Sequence, residues 1–336
     1  MKGMNSTEIA KPTIARAKPL PLPENFVSVQ PGGGMCYRME LAWGRWRRWR
    51  LKTFRPGYVR RMAERRRGSS DGAPHEIVDP RDLKYCRNRC DCEWDAADDP
   101  FRWRRNLWFT HWGFAEMQIF GWPLLAVIIA LAFTPGWYKC LAVVPLVILG
   151  WLLSFFRNPP RRAPAAPGLM ISPADGRVVD ITRLEYDDFI GGPAVQVGIF
   201  LSIFNVHLNR APAASRVIGL RYIPGAFHDA RNPKSSHENE NTWIGLEEEA
   251  TPHRRMVVRQ ISGAIARRIV CDLRPGEMLT RGQPFGMIKF GSRTELILAD
   301  NDDLTLEVEI GRRVKAGKTV VAKYKMTNDE SQMSNE

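Results

Sequence analysis

Cysteine is scarce in this sequence, with six in 336 residues (Cys36, Cys86, Cys90, Cys92, Cys140 and Cys271) and no even spacing between them. A disulfide framework is excluded, and a reducing compartment is expected. Metal ligands are short as well: Cys86, Cys90 and Cys92 follow a C-x3-C-x-C pattern with no fourth ligand at a zinc-site interval, so we expect no metal, and free thiols in a surface loop. Acidic charge is outweighed, 36 Asp and Glu against 49 Lys and Arg, a formal +13 that favours anionic partners. The N-terminus lacks the basic start, apolar core and small-residue cleavage site of a secretory signal, so none is expected.

Charge nearly vanishes between Glu116 and Arg157, where Lys139 stands alone. Pro135-Gly136 breaks this tract into two arms, about 117–133 and 140–156, each near the lower limit of roughly 17 residues for a spanning helix. A membrane hairpin over 111–157 is expected. Arg102, Arg104 and Arg105 precede it and Arg157, Arg161 and Arg162 follow it, which puts both flanks in the cytoplasm by the positive-inside rule.

Ahead of the hairpin, residues 1–110 read as a basic, largely disordered extension, the first 35 or so without any periodicity. From Trp43 to Arg67 tryptophans alternate with arginines. Trp43, Trp46 and Phe54 share a helical face, but Arg47 and Arg50 fall on it too, so amphipathicity is poor. A solvated arm, an anchor on acidic lipid and a nucleic-acid patch all fit, and the neighbouring apolar tract favours lipid over nucleic acid.

Behind the hairpin, residues 158–326 consist of short β-type runs between Gly, Pro and Asp, and 327–336 read as a disordered tail. Asp175-Gly176 carries a hairpin-turn signal. Val195 to Ile203 is a strand running into Asn205-Val206-His207, so that His207 lies at its mouth. Pro275 to Gly282 and Ile310 to Gly317 form a weak repeat of paired glycine turns. Together these predict a mainly β (α+β) domain, a compact sandwich or barrel of pseudo-twofold kind. The polar run from Arg231 to Glu249 is expected as a long loop. Phe290-Gly291-Ser292-Arg293 joins two apolar runs through a tight bend. A glycine before a serine frees the peptide carbonyl for attack by the neighbouring hydroxyl.

Ser172-Pro173-Ala174-Asp175-Gly176, Phe204-Asn205-Val206-His207-Leu208-Asn209-Arg210-Ala211-Pro212 and Phe290-Gly291-Ser292-Arg293 stand in this order behind an apolar hairpin ending Phe155-Phe156-Arg157-Asn158-Pro159-Pro160. In this the chain resembles the short-form phosphatidylserine decarboxylase proenzymes, from about Trp112 to Lys325. Some longer relatives carry an extra histidine where Phe204 stands here.

The resemblance implies self-cleavage between Gly291 and Ser292, with Ser292 as nucleophile, His207 as base and Asp175 orienting the imidazole. It implies that Ser292 becomes a pyruvoyl cofactor, which decarboxylates phosphatidylserine to phosphatidylethanolamine through a Schiff base. The implied partners are phosphatidylserine, anionic membrane lipid and the two product chains 1–291 and 292–336, with no nucleic acid and a homo-oligomer left open. The implied location is the cytoplasmic face of the inner membrane. A related lipid such as archaetidylserine is the enzymatic alternative. A biotinyl or lipoyl-like carrier module is the non-enzymatic one, although Lys323 and Lys325 lie in no carrier signature.

Overall fold

The computed structural model describes residues 16–232, 234–264, 268–289 and 291–325. Two helices form the first part of the chain, α1 (Met35–Phe54) and α2 (Pro56–Arg65). The apolar tract forms α3 (Phe114–Ala132) and α4 (Val143–Phe155), joined through a 3-10 turn that carries Lys139. Both arms are long and apolar enough to cross a membrane. Only 11% and 17% of their most apolar windows are covered by the rest of the protein, whereas a core helix would be mostly buried.

The β domain follows, with one four-residue helix, α5 (Ser235–Glu238), inside it. Its strands are β1 (Leu169–Ile171), β2 (Gly176–Asp187), β3 (Gly192–Leu201), β4 (Leu208–Arg210), β5 (Ser215–Ile223), β6 (Asn241–Glu248) and β7 (Arg255–Ser262). They continue with β8 (Arg268–Cys271), β9 (Met278–Leu279), β10 (Pro284–Lys289), β11 (Ser292–Ala299), β12 (Leu304–Leu306), β13 (Arg313–Val314) and β14 (Val320–Tyr324). Eight of them form one antiparallel sheet in the order β13-β2-β3-β11-β7-β6-β5-β9. Two three-stranded sheets, β4-β10-β8 and β1-β14-β12, cover it. Val197, Ile199, Val258 and Leu296 from the large sheet meet Met170, Cys271, Phe285 and Tyr324 from the small ones in one continuous core.

The mainly β expectation holds, and the glycine repeat has a structural meaning. Each copy encloses a two-residue strand, β9 or β13, and these form the two opposite edges of the large sheet. Gly282 and Gly317, at matching places in the repeat, both have positive φ and approach each other closely. β11, which begins at Ser292, lies near the middle of the sheet between β3 and β7.

Four expectations are corrected. Residues 16–110 are not a loose arm, because several of their basic groups find acidic partners and several of their apolar groups are packed into cores. Phe26 is fully buried among the main core residues, and the Leu20 amide donates to the Ile218 carbonyl at 2.6 Å. Arg47 turns inward to a buried ion pair with Asp79 (2.7 Å) and also pairs with Asp82. The thiols of Cys86, Cys90 and Cys92 are buried around Ile77 in a small core of the extension, not in a surface loop. Residues 241–248 are an interior strand instead of a loop, because β5 and β7 satisfy its backbone on both sides and its apolar residues are buried. Asp175-Gly176 is no hairpin turn: β1 pairs with β14 and β2 with β3, so no hairpin joins β1 to β2. Glycine is needed at 176 because a Cβ there would meet the Phe200 carbonyl oxygen at 2.1 Å.

Candidate active site

Ser292 opens β11, directly opposite Leu201 on β3 and Ser262 on β7. It is fully buried, and among the described residues neither its Oγ nor that of Ser262 has a hydrogen-bond partner. A buried hydroxyl without a partner is unfavourable by about 1–3 kcal/mol, so its presence calls for an explanation. Gly291 takes φ 71°, a left-handed conformation that favours glycine. Its carbonyl is approached so closely by Gly263 that a Cβ on Gly263 would lie 2.8 Å from the oxygen. Phe290 lies outside the described residues.

His207 precedes β4 and is fully buried. Its Nδ1 lies 3.0 Å from the Asn205 carbonyl oxygen. A carbonyl only accepts, so Nδ1 carries the proton and Nε2 presents a lone pair. That lone pair accepts the Gly291 N–H at 3.2 Å. Burial pulls the pKa of His207 down to about 4, which the Asn205 carbonyl and the Asp175 charge offset only in part. The imidazole is therefore a neutral base at ordinary pH, held next to the Gly291–Ser292 bond.

Asp175 does not touch that imidazole. Its carboxylate is gripped by Arg161, with Oδ2 at 2.7 Å from Nη2, and its Oδ1 accepts the Ala316 N–H at 2.8 Å. Orientation of the ring, expected from Asp175, comes from the Asn205 carbonyl. Asp175 reaches His207 only through its negative field, which raises the imidazole's proton affinity. Behind it Arg210 donates to Gly282 O at 3.0 Å and to Asn158 Oδ1 at 2.8 Å, its pKa lowered to about 10 by burial and then by Arg161.

On the same face of β11 as Ser292, Thr294 Oγ1 accepts from Asn209 Nδ2 at 2.9 Å, and Asn209 Oδ1 accepts from Gln260 Nε2 at 2.9 Å. This buried amide network fixes β4 against β7 and β11, and with them the strand ends next to which His207 and Ser292 lie. The hairpin contributes as well. Phe155, at the end of α4, packs its ring on His207, and Glu116, in the first turn of α3, pairs with Lys289 at 2.6 Å. Sequence reasoning missed Asn205, Arg161, Lys289 and Glu116. For the last two a signal existed, each being a lone charge at the end of an apolar run, of opposite sign to the other. Among the described residues no cluster of three or more His, Cys, Asp or Glu could hold a metal ion.

Residues 148–322 match the family described as phosphatidylserine decarboxylase. A phosphatidylserine decarboxylase proenzyme of Rhodopirellula baltica is 46% identical over 243 residues, covering 72% of this chain and 99% of the relative. Proenzymes of the same name from Nitrosomonas eutropha (39% over 211 residues, 61% of this chain and 94% of the relative) and Symbiobacterium thermophilum (40% over 205 residues, 60% and 93%) are similar too.

Proposed function

Because the chain belongs to the phosphatidylserine decarboxylase family, we propose that it is made as a proenzyme, cleaves itself between Gly291 and Ser292, and then converts phosphatidylserine to phosphatidylethanolamine and carbon dioxide. The observation that carries the cleavage reading is a neutral, buried His207, its Nε2 3.2 Å from the Gly291 amide, next in the chain to a buried Ser292 whose hydroxyl has no hydrogen-bond partner among the described residues.

The chemistry follows from these groups. Ser292 Oγ attacks the Gly291 carbonyl carbon while His207 Nε2 takes its proton. That proton passes to the Ser292 amide nitrogen as the peptide C–N bond breaks, leaving an ester between Gly291 and Ser292 Oγ. Loss of the Ser292 Cα proton then breaks the Cβ–Oγ bond. Gly291 departs as a carboxylate, and water replaces the nitrogen of the resulting dehydroalanine as ammonia, leaving a pyruvoyl group. The position fits such a group: residue 292 begins a central strand, walled by Leu201 and Ser262 and closed from solvent. The pyruvoyl ketone supplies an electron sink for the carbon that loses carbon dioxide. The chain's own part is to hold residue 292 in place, exclude bulk water and keep the His207 lone pair beside it.

The products 1–291 and 292–336 would stay together, since β11 is paired on both sides by strands of the first chain and β14 pairs with β1. The two apolar helices suit a membrane hairpin, and the basic flanks favour the β domain on the cytoplasmic side of the inner membrane, against anionic lipid. Intact mass of the purified protein tests the reading. Wild type should give two chains, the second with a blocked N-terminus, and Ser292→Ala should give one chain and no release of carbon dioxide from phosphatidylserine vesicles. A decarboxylating wild type that runs as one chain with an unmodified Ser292 would overturn it.

A further inference from the structure

Lys289 ends β10, two residues before the Gly291–Ser292 bond, and its side chain is almost wholly buried. Its ammonium meets Glu116 Oε1 at 2.6 Å and Gln30 Oε1 at 3.3 Å. Glu116 is itself buried, and its other carboxylate oxygen has no partner among the described residues. The ion pair therefore joins three separate parts of the chain: the extension through Gln30, the base of the hairpin through Glu116, and the strand leading to the bond through Lys289. Phe155 on His207, and Arg157 donating to the Phe204 carbonyl at 2.9 Å, bind the other end of the hairpin to the loop carrying the base. Trp112, Leu152, Phe155 and Phe156 pack with Val206, Leu208 and Met287, so this contact is a shared core and not a surface touch.

We propose that the Glu116–Lys289 pair is a positioning device for self-cleavage, setting the Gly291 carbonyl in line with Ser292 Oγ only when the base of the hairpin is seated on the β domain. The inference rests on the reading of Gly291–Ser292 as the cleaved bond. Of the groups that must meet, Ser292 is fixed by strands on both sides, and His207 is fixed by Asn205 and Phe155. The Gly291 carbonyl lies between the end of β10 and the start of β11, strands of two different sheets, and among the described residues the last ladder pair before it is Lys289 with Arg268. A buried ammonium deprived of its carboxylate moves toward water or drags water in. Either movement shifts the end of β10 and the carbonyl with it. Cleavage then waits on docking of the hairpin, so a chain whose hairpin has not been seated remains a proenzyme.

The test uses the full-length chain, freshly translated into membranes, with cleavage followed by gel and intact mass over time. Glu116→Gln and Lys289→Met should each slow cleavage about tenfold to a hundredfold, the range expected when a reacting group is displaced by on the order of 1 Å. The reversed pair, Glu116→Lys with Lys289→Glu, should recover most of the rate. A merely structural contact would lower the melting temperature without that recovery in rate. Should Lys289→Met fail to fold, Lys289→Arg, which keeps the charge and changes its reach, is read the same way. Wild-type rates in the folded single variants, or a folded reversed pair no faster than the slower single, would overturn the proposal. Absence of cleavage in wild type would instead strike the underlying reading, which Ser292→Ala tests separately.

Discussion

The Phe155 ring lies 4.3 Å, centroid to centroid, from the imidazole of His207 and is tilted 30° to it, so the last residue of the second apolar helix forms a wall of the histidine's pocket. That wall is part of the burial holding the imidazole neutral. The arrangement makes the base of the apolar helices part of the site's electrostatics.

Phe155→Ala should therefore shift the pH dependence of self-cleavage. His207 falls from the ordinary 6.5 to about 4 in the folded protein, so the base form persists well into acid and the wild-type rate should stay flat until the pH approaches that value. Water admitted beside the ring raises the pKa, and the variant's acid limb should move toward neutrality. The same shift bears on stability. Between about pH 6.5 and 4 the unfolded chain binds the proton that the folded chain refuses, so His207 lowers stability as pH falls, by on the order of 3 kcal/mol in all. Rates measured from pH 4 to 8 on newly made chains check this, and coincident acid limbs for the two proteins would contradict it.

Asp175 and Arg161 offer a separation of charge from fold. Asp175→Asn leaves the nearly buried Arg161 without its carboxylate and should destabilise the protein by about 3–5 kcal/mol. Adding Arg161→Gln should restore much of the melting temperature. Cleavage should stay slow in the double variant, because the negative field that raises the proton affinity of His207 is still missing. Full recovery of cleavage in the double variant would mean that Asp175 serves only to hold Arg161.

The β domain was legible because its signals are local: apolar alternation along Val195 to Leu201, and glycines that must have positive φ at 276, 282, 311 and 317. The site was legible as residue types, since a glycine-preceded serine and a histidine at a strand mouth each stand out on the chain. Contacts made across the fold were not legible. Asp79 and Asp82 lie more than thirty residues from Arg47, so nothing in the basic block reveals that one of its arginines is neutralised inside. Asn205 orients His207 through a backbone carbonyl, which every residue possesses and no side-chain pattern announces. The strand at 241–248 was hidden because its polar residues Asn241, Thr242, Glu247 and Glu248 are buried together with its apolar ones.

Phe26 tests whether the extension belongs to the enzyme. A separable arm would tolerate deletion of residues 1–100, but that deletion removes Phe26 from the main core and Gln30 from Lys289. Phe26→Ala alone should be destabilising by about 3–5 kcal/mol, as for other buried aromatic truncations. The deleted chain should fail to cleave. Measured by thermal unfolding and gel, a stable, fully cleaving deletion would show that the extension only rests on the domain.

The outer face of α1 gives the last prediction. With Arg47 turned inward to Asp79 and Asp82, the outward side keeps Trp43, Trp46 and Trp49, each about half exposed, with Arg45 and Arg50 exposed among them. That is the composition of a helix lying in a headgroup layer, aromatic rings at the interface and guanidinium groups on phosphates. Its inner side, through Tyr37 and Leu41, packs against the cluster that includes Trp112, Leu152, Phe155 and Phe156 at the base of the apolar helices, so a bilayer that took up those helices would be within reach. Each arginine near an anionic surface adds about 1 kcal/mol, and that attraction is screened by salt. In nanodiscs containing anionic lipid at low salt, α1 should resist trypsin at Arg45 and Arg50. Protection should be lost in neutral lipid, at high salt, or when Trp43, Trp46 and Trp49 are replaced by serine, whereas self-cleavage should be unchanged by those three replacements because none of them touches the site. Equal protection in anionic and neutral discs would show that α1 is shielded by protein alone and has no part in holding the lipid surface.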